Sequence, residues 1–132
     1  MVLLDTDILI PFLRNDQTIK KKISDLIHNK HVSLSTTSIN VAELYLGAYL
    51  SEKTKQNLSS VEKLISTLDI ISFKTIHGKI YGELKSTLQK QGELINELDI
   101  FIAVVVLERD TKLITRNIKH FEKIKGLIIE VW

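Results

Sequence analysis

Met1-Val2-Leu3-Leu4-Asp5-Thr6-Asp7-Ile8-Leu9-Ile10 opens the chain, and its reading decides the fold. Val2, Leu3 and Leu4 read as a short strand buried on both faces. Asp5 ends that run, and Asp5 and Asp7 are the only charged side chains between Met1 and Leu13. Thr6 is a candidate cap for a helix beginning near Asp7. In an α/β sheet, ligands bind outside the carboxyl ends of the strands, and Asp5 stands at such an end. On this stretch alone a plainer assignment fits equally well, in which Asp5 and Thr6 only end a strand and cap a helix. Whether other carboxylates recur in apolar surroundings decides between the two.

They recur twice. From Ser33 to Ser51 the only charged residue is Glu43. The spacing predicts a strand over 32–35 and a helix from Thr36, Thr37 or Ser38 to about Leu50, with Asn40, Glu43 and Gly47 on one face. A solvent-facing helix carries more charge than this, so Glu43 lies on a small polar window or in a pocket. Farther on, Asp99 is the sole charge between Glu97 and Glu108. The run Ile100 to Leu107 is apolar on every side, and Asn96 as cap favours a buried helix. A carboxylate in a first helical turn is also stabilised by the helix dipole, which leaves a purely structural role open for Asp99.

The remaining segments alternate in the same way. Ile19, Ile23, Leu26 and Ile27 mark a helix over 16–29 whose outer face carries Lys20, Lys21 and Lys22, a solvated face or an RNA contact. Leu58, Val61, Ile65 and Leu68 mark another over 51–68, followed by a short strand over 70–73. Ile76, Ile80, Leu84 and Leu88 predict a helix that Gly92 stops, with His77 at its surface or in packing. Strands over 111–115 and 127–131 flank a helical turn near Phe121. Strand–helix alternation from end to end predicts an α/β fold with a mostly parallel sheet covered by helices, as one domain over 1–132.

Composition sets the outer limits. With 132 residues, 44% hydrophobic and 26% charged, the chain suits one globular domain. It has no cysteine, which excludes disulfides, thiolate metal sites and cysteine nucleophiles. No apolar run approaches the roughly 20 residues of a membrane span. No basic segment precedes an apolar one at the N-terminus, so the expected setting is the cytoplasm. A net charge of +2 does not itself imply a nucleic-acid partner.

Asp and Glu are seldom buried without a partner, because desolvating an ion costs several kcal/mol. If Asp5, Glu43 and Asp99 converge, protonation or a bound cation must offset their repulsion. An all-oxygen donor set without Cys suits Mg²⁺ or Mn²⁺. Such an ion lowers the pKa of water and stabilises charge on a phosphoryl oxygen, which is the chemistry of phosphodiester hydrolysis.

Four segments in order resemble the PIN-domain ribonucleases, specifically the VapC-type toxins of toxin–antitoxin pairs. They are Leu4-Asp5-Thr6-Asp7-Ile8-Leu9-Ile10, Thr37-Ser38-Ile39-Asn40-Val41-Ala42-Glu43-Leu44, Leu98-Asp99-Ile100-Phe101-Ile102-Ala103, and Leu113-Ile114-Thr115-Arg116-Asn117 with His120-Phe121. The resemblance implies a PIN-like three-layer α/β/α sandwich around a mostly parallel sheet of four or five strands, and Mg²⁺- or Mn²⁺-dependent RNA cleavage. It makes Asp5, Glu43 and Asp99 metal ligands and catalytic residues, with Thr6 and Thr115 as hydrogen-bonding supports and Asp7 and Glu97 as outer acids. The family's usual fourth acidic position matches Asn117, an amide that offers an oxygen but no charge. A VapB-type antitoxin and a homodimer are also implied. Two other readings fit parts of the sequence: a degraded PIN-like binding module, hinted at by Asn117, and a haloacid-dehalogenase phosphatase, which leaves Glu43 unexplained.

Overall fold

The computed structural model describes residues 1–29 and 31–132. Its centre is a sheet of five parallel strands in the order β3-β2-β1-β4-β5. These are β1 (Val2–Leu4), β2 (Leu34–Thr37), β3 (Asp69–Ile71), β4 (Lys112–Thr115) and β5 (Ile128–Val131). The helices are α1 (Thr6–Leu13), α2 (Gln17–His28), α3 (Ser38–Leu50), α4 (Thr54–Ile65), α5 (Thr75–Lys90), α6 (Glu97–Glu108) and the single turn α7 (Ile118–Phe121). The expected α/β/α sandwich forms, and of the four or five strands expected it has five.

Alternation along the strands separates the two layers. Val2 and Leu4 of β1 and Ile114 of β4 pack with α1, α2, α3 and α4 through Ile8, Leu9, Ile19, Ile23, Leu44 and Val61. Leu3 and Leu113 point the other way, onto Ile102, Ala103, Val106 and Phe121. Six residues of α6, from Ile100 to Val106, are buried, which explains why its sequence shows no polar face.

The element bounds correct the sequence reading in several places. β2 begins two residues late, because Thr36 and Thr37 belong to the strand: Thr36 Oγ1 donates to Leu4 O at 2.8 Å and ties it to β1. β3 spans Asp69–Ile71 rather than 70–73, since its pairing with β2 ends where Thr37 meets Ile71. α4 is shorter at both ends than the apolar periodicity suggests. The cap of α1 is Asp5 itself, whose side chain accepts from Thr6 N–H, so Thr6 is the first helical residue. His77 is 1% exposed. It packs, and it is not a surface residue: Lys74 N–H donates to its Nδ1 at 2.8 Å, and its Nε2 lies 3.2 Å from Glu108 Oε2.

The strand order places the functional edge. The chain leaves β1 toward β2 and β3 on one side, and returns to β4 and β5 on the other. The carboxyl ends of β1 and β4 therefore flank a topological switch point, where open α/β sheets form their crevice.

Candidate active site

Asp5 stands in that crevice, and three elements hold it. Its Oδ1 accepts from Thr6 N–H at 2.8 Å and from Asn40 Nδ2 of α3 at 3.0 Å, and its Oδ2 accepts from Thr115 Oγ1 of β4 at 2.7 Å. Thr6 carries the network outward: its hydroxyl accepts from Asn40 Nδ2 at 2.9 Å and donates to Glu43 Oε1 at 2.8 Å. Asn40 in turn accepts from the Thr37 hydroxyl at 2.7 Å in a capping box that starts α3. The i, i+3 spacing that places Asn40 and Glu43 on one helical face thus puts both beside the end of β1.

Asp7, one helical step beyond, accepts at Oδ2 from Arg116 N–H at 2.9 Å and lies 3.1 Å from Thr115 Oγ1. That hydroxyl has one hydrogen and two carboxylates within reach, and the shorter contact is to Asp5. Asp7 Oδ1 is the one buried side-chain polar atom without a hydrogen-bond partner among the described residues. Asp99, in the first turn of α6, has His120 Nδ1 3.0 Å from its Oδ2. Asp5, Glu43 and Asp99 are thus held just past the end of β1, on α3 and on α6, with Asp7 electrostatically coupled to each of them.

Their titration reflects that proximity. Asp5 is pushed up to about 6, first by burial and then by the Asp7 charge, against the hydrogen bonds from Thr115 and Thr6. Burial is also the leading cause of the upward shifts of Asp7, Glu43 and Asp99. Asp99 and Asp7 push Glu43 further, while His120 partly restrains Asp99. Placing negative charge here therefore costs free energy in the protein alone. As the side chains stand, no three acidic or imidazole groups among the described residues form a ready-made cage. The donor set nevertheless fits a hard cation: four carboxylates, all-oxygen donors, and one orphaned buried oxygen.

Two other sequence candidates fall differently. Asn117 caps α7 through its backbone, and its N–H donates to Thr115 Oγ1 at 3.1 Å. Glu97 does not join the acids. It turns to α5, where it accepts from the Tyr81 hydroxyl and from Lys85 Nζ at 2.9 Å, because its place at the first position of α6 faces that neighbouring helix. Sequence reasoning gave no role to Asn40 or His120, although the Asn40–Glu43 spacing carried the signal for the former.

The PIN domain family model matches residues 2–127. The chain belongs to the PIN-domain family. Its kinship lies with the VapC ribonucleases: it is 33% identical to ribonuclease VapC2 of Haemophilus influenzae, over 98% of this chain and 96% of that protein. Among solved structures, it superposes with a TM-score of 0.91 at 32% identity on VapBC2 of Rickettsia felis, which was solved bound to a DNA fragment from its promoter. The match covers 100% of this chain and 99% of that one. VapBC-1 of nontypeable Haemophilus influenzae gives a TM-score of 0.86, also at 32% identity, over 100% and 98% of the two chains. The expected VapC-type PIN fold is therefore the observed one.

Proposed function

We propose that this VapC-family endoribonuclease toxin hydrolyses RNA phosphodiester bonds with the help of Mg²⁺ or Mn²⁺ held by Asp5, Glu43 and Asp99. The observation that carries the reading is the buried acceptor Asp7 Oδ1, left without a donor in a cluster of four carboxylates whose titration burial raises and whose charge Arg116 and His120 offset only in part. When bound, the ion lowers the pKa of water and offsets charge growing on the phosphoryl oxygens. The protein's own part is positional. Asn40 and Thr115 fix both oxygens of Asp5, Thr6 aims Glu43, and His120 restrains Asp99. Asn117 adds no charge after β4, so the donor set suits one cation better than two.

The partner is a VapB-type antitoxin, a reading supported by the VapBC complexes among the structural relatives. A small groove of about 150 Å³ between α1, α3 and α4, with Ile10, Leu13, Leu44 and Val61 beside Arg14 and Asn57, suits an antitoxin segment that brings apolar and polar side chains together. A second copy of the chain would cover Leu94, which is 99% exposed. No helix among the described residues is long and apolar enough to cross a membrane, and we place the reaction in the cytoplasm.

The decisive assay incubates the purified protein, freed of partner, with total RNA and Mg²⁺ or Mn²⁺. Discrete cuts are expected, and EDTA and Asp99→Asn are each expected to abolish them. Cuts that persist in Asp99→Asn would assign the activity to a contaminant. A folded protein that cuts no RNA with either ion would overturn the nuclease reading.

A further inference from the structure

The lysine cluster of α2 has no part in the acidic site, yet the fold carries it to the same edge of the sheet. Val131 of β5 pairs with Thr115 of β4, and the N–H of the next residue, Trp132, donates to Thr115 O at 3.1 Å. Thr115 is the residue whose hydroxyl lies against Asp5 and Asp7. Trp132 therefore emerges at the carboxyl edge of the sheet, one strand from the carboxylates. It is the only tryptophan in the chain, and it packs half-buried against the α1–α2 core.

Lys22 Nζ lies over the indole, 5.2 Å from the ring centroid. An open groove of about 690 Å³ runs beside the pair, lined by Thr18, Lys21, Lys22, Asn29, Glu130 and Trp132, among others. Its acidic members are engaged: Glu130 takes Lys112 Nζ at 2.8 Å and the indole N–H at 2.9 Å, and Asp25 accepts from Asn29 Nδ2. Between groove and pocket stands Arg116, whose N–H holds Asp7 and whose guanidinium reaches Asp16, the cap of α2, at 3.3 Å. From the carboxylates outward the surface thus runs from Arg116 along α2 to Lys21, Lys22 and the indole.

We propose that this strip is the path of the single-stranded RNA flanking the scissile phosphate, with a base stacking on Trp132 and backbone phosphates taken by Lys21, Lys22 and Arg116. The inference rests on the ribonuclease reading. Indole stacking accepts any base, and lysines paired to phosphates supply affinity without sequence preference. A base arriving on the indole displaces Lys22, which exchanges an exposed cation–π contact, a weaker interaction than stacking, for a phosphate. The groove between α1, α3 and α4 mixes apolar side chains with Arg14, Asn57 and Ser60; this one is open and carries the indole and two lysines, and Arg116 stands between it and the carboxylates.

Because Trp132 is the sole indole, its fluorescence reports the contact directly. The test titrates a short single-stranded RNA into the Glu43→Gln protein, which retains substrate uncut, and follows tryptophan emission together with RNA anisotropy. Cleavage kinetics are measured in parallel on wild type, Trp132→Ala, Trp132→Phe and Lys22→Ala. The proposal expects saturable quenching that tracks the anisotropy, a KM raised about tenfold in Trp132→Ala with kcat retained, and recovery in Trp132→Phe. Lys22→Ala should flatten the dependence of binding on salt. Wild-type cleavage with RNA binding that leaves the indole unquenched, or with KM unchanged in Trp132→Ala, overturns the path and spares the nuclease. Failure of wild type to cut or bind RNA overturns both. If only the antitoxin, and not RNA, quenches Trp132, the groove is a protein-docking surface and the RNA path is wrong.

Discussion

At the residue scale, the site is organised by two hydroxyls and one amide, and among them Thr115 has more carboxylate oxygens to serve than hydrogens to give. Thr115 has one hydrogen for Asp5 and Asp7. Replacing it by the near-isosteric valine leaves Asp5 Oδ2 without its donor and the Asn117 N–H without its acceptor, so Thr115→Val should lose about 1–3 kcal/mol of stability. Urea denaturation measures that loss, and an unchanged midpoint would remove Thr115 from the network. Asp7 predicts the opposite balance. Asp7→Asn removes a charge that burial opposes, so the metal-free protein should gain stability. Its Mn²⁺ affinity, read by calorimetry, should fall at least about tenfold, as for groups that support a metal site. A variant that is destabilised, or that binds Mn²⁺ as tightly as wild type, would separate Asp7 from the metal.

Elements explain what the sequence could and could not reveal. The carboxylates were legible because each stands in a long apolar run, Glu43 in α3 and Asp99 at the start of α6 alone, and Asp5 after β1 with only Asp7 beside it. Isolation of charge survives any error in element bounds. Orientation does not, and Glu97 shows why. It precedes Asp99 by two residues, about 200° around the helix, so it faces α5 and not the pocket. The burial of His77 is hidden for a related reason. One polar residue beside Ile76 gives no sign that a partner, Glu108, waits on α6 thirty-one residues later. Because Lys74 N–H donates to Nδ1, the proton of the neutral ring sits on Nε2, where it meets Glu108. His77→Ala should therefore cost about 2–4 kcal/mol, from the cavity and from an unsatisfied backbone N–H. Cleavage per folded molecule should not change. Chemical denaturation alongside active-site titration would check both halves, and a loss of kcat at full folding would give His77 a role beyond packing.

On the scale of the whole molecule, the fold holds its acids at the switch point at the expense of its own stability, and pH exposes that cost. Asp5 titrates near 6 in the folded chain, against 3.8 for an ordinary aspartate. Between those values the folded state binds the proton that the unfolded state has released, so stability falls as pH rises through this window. Asp5 alone then withdraws about 3 kcal/mol by neutral pH, since each tenfold change in proton affinity is worth about 1.4 kcal/mol. Asp7, Glu43 and Asp99 are raised too and act in the same sense. Asp16, held low mainly by its cap bond from Ile19 N–H, acts in the opposite sense but only below the ordinary aspartate range. In EDTA, the melting temperature should therefore decline from about pH 5 to pH 7. A divalent cation binds only the deprotonated acids of the folded state, so added Mg²⁺ should stabilise little at about pH 5 and most at about pH 7, flattening or reversing the decline. Thermal melts across that range with EDTA and with Mg²⁺ test the sign as well as the size. A metal-free protein that grows more stable toward neutral pH would mean the carboxylates are already compensated by the protein, and the physical case for a cation at this site would fail with it.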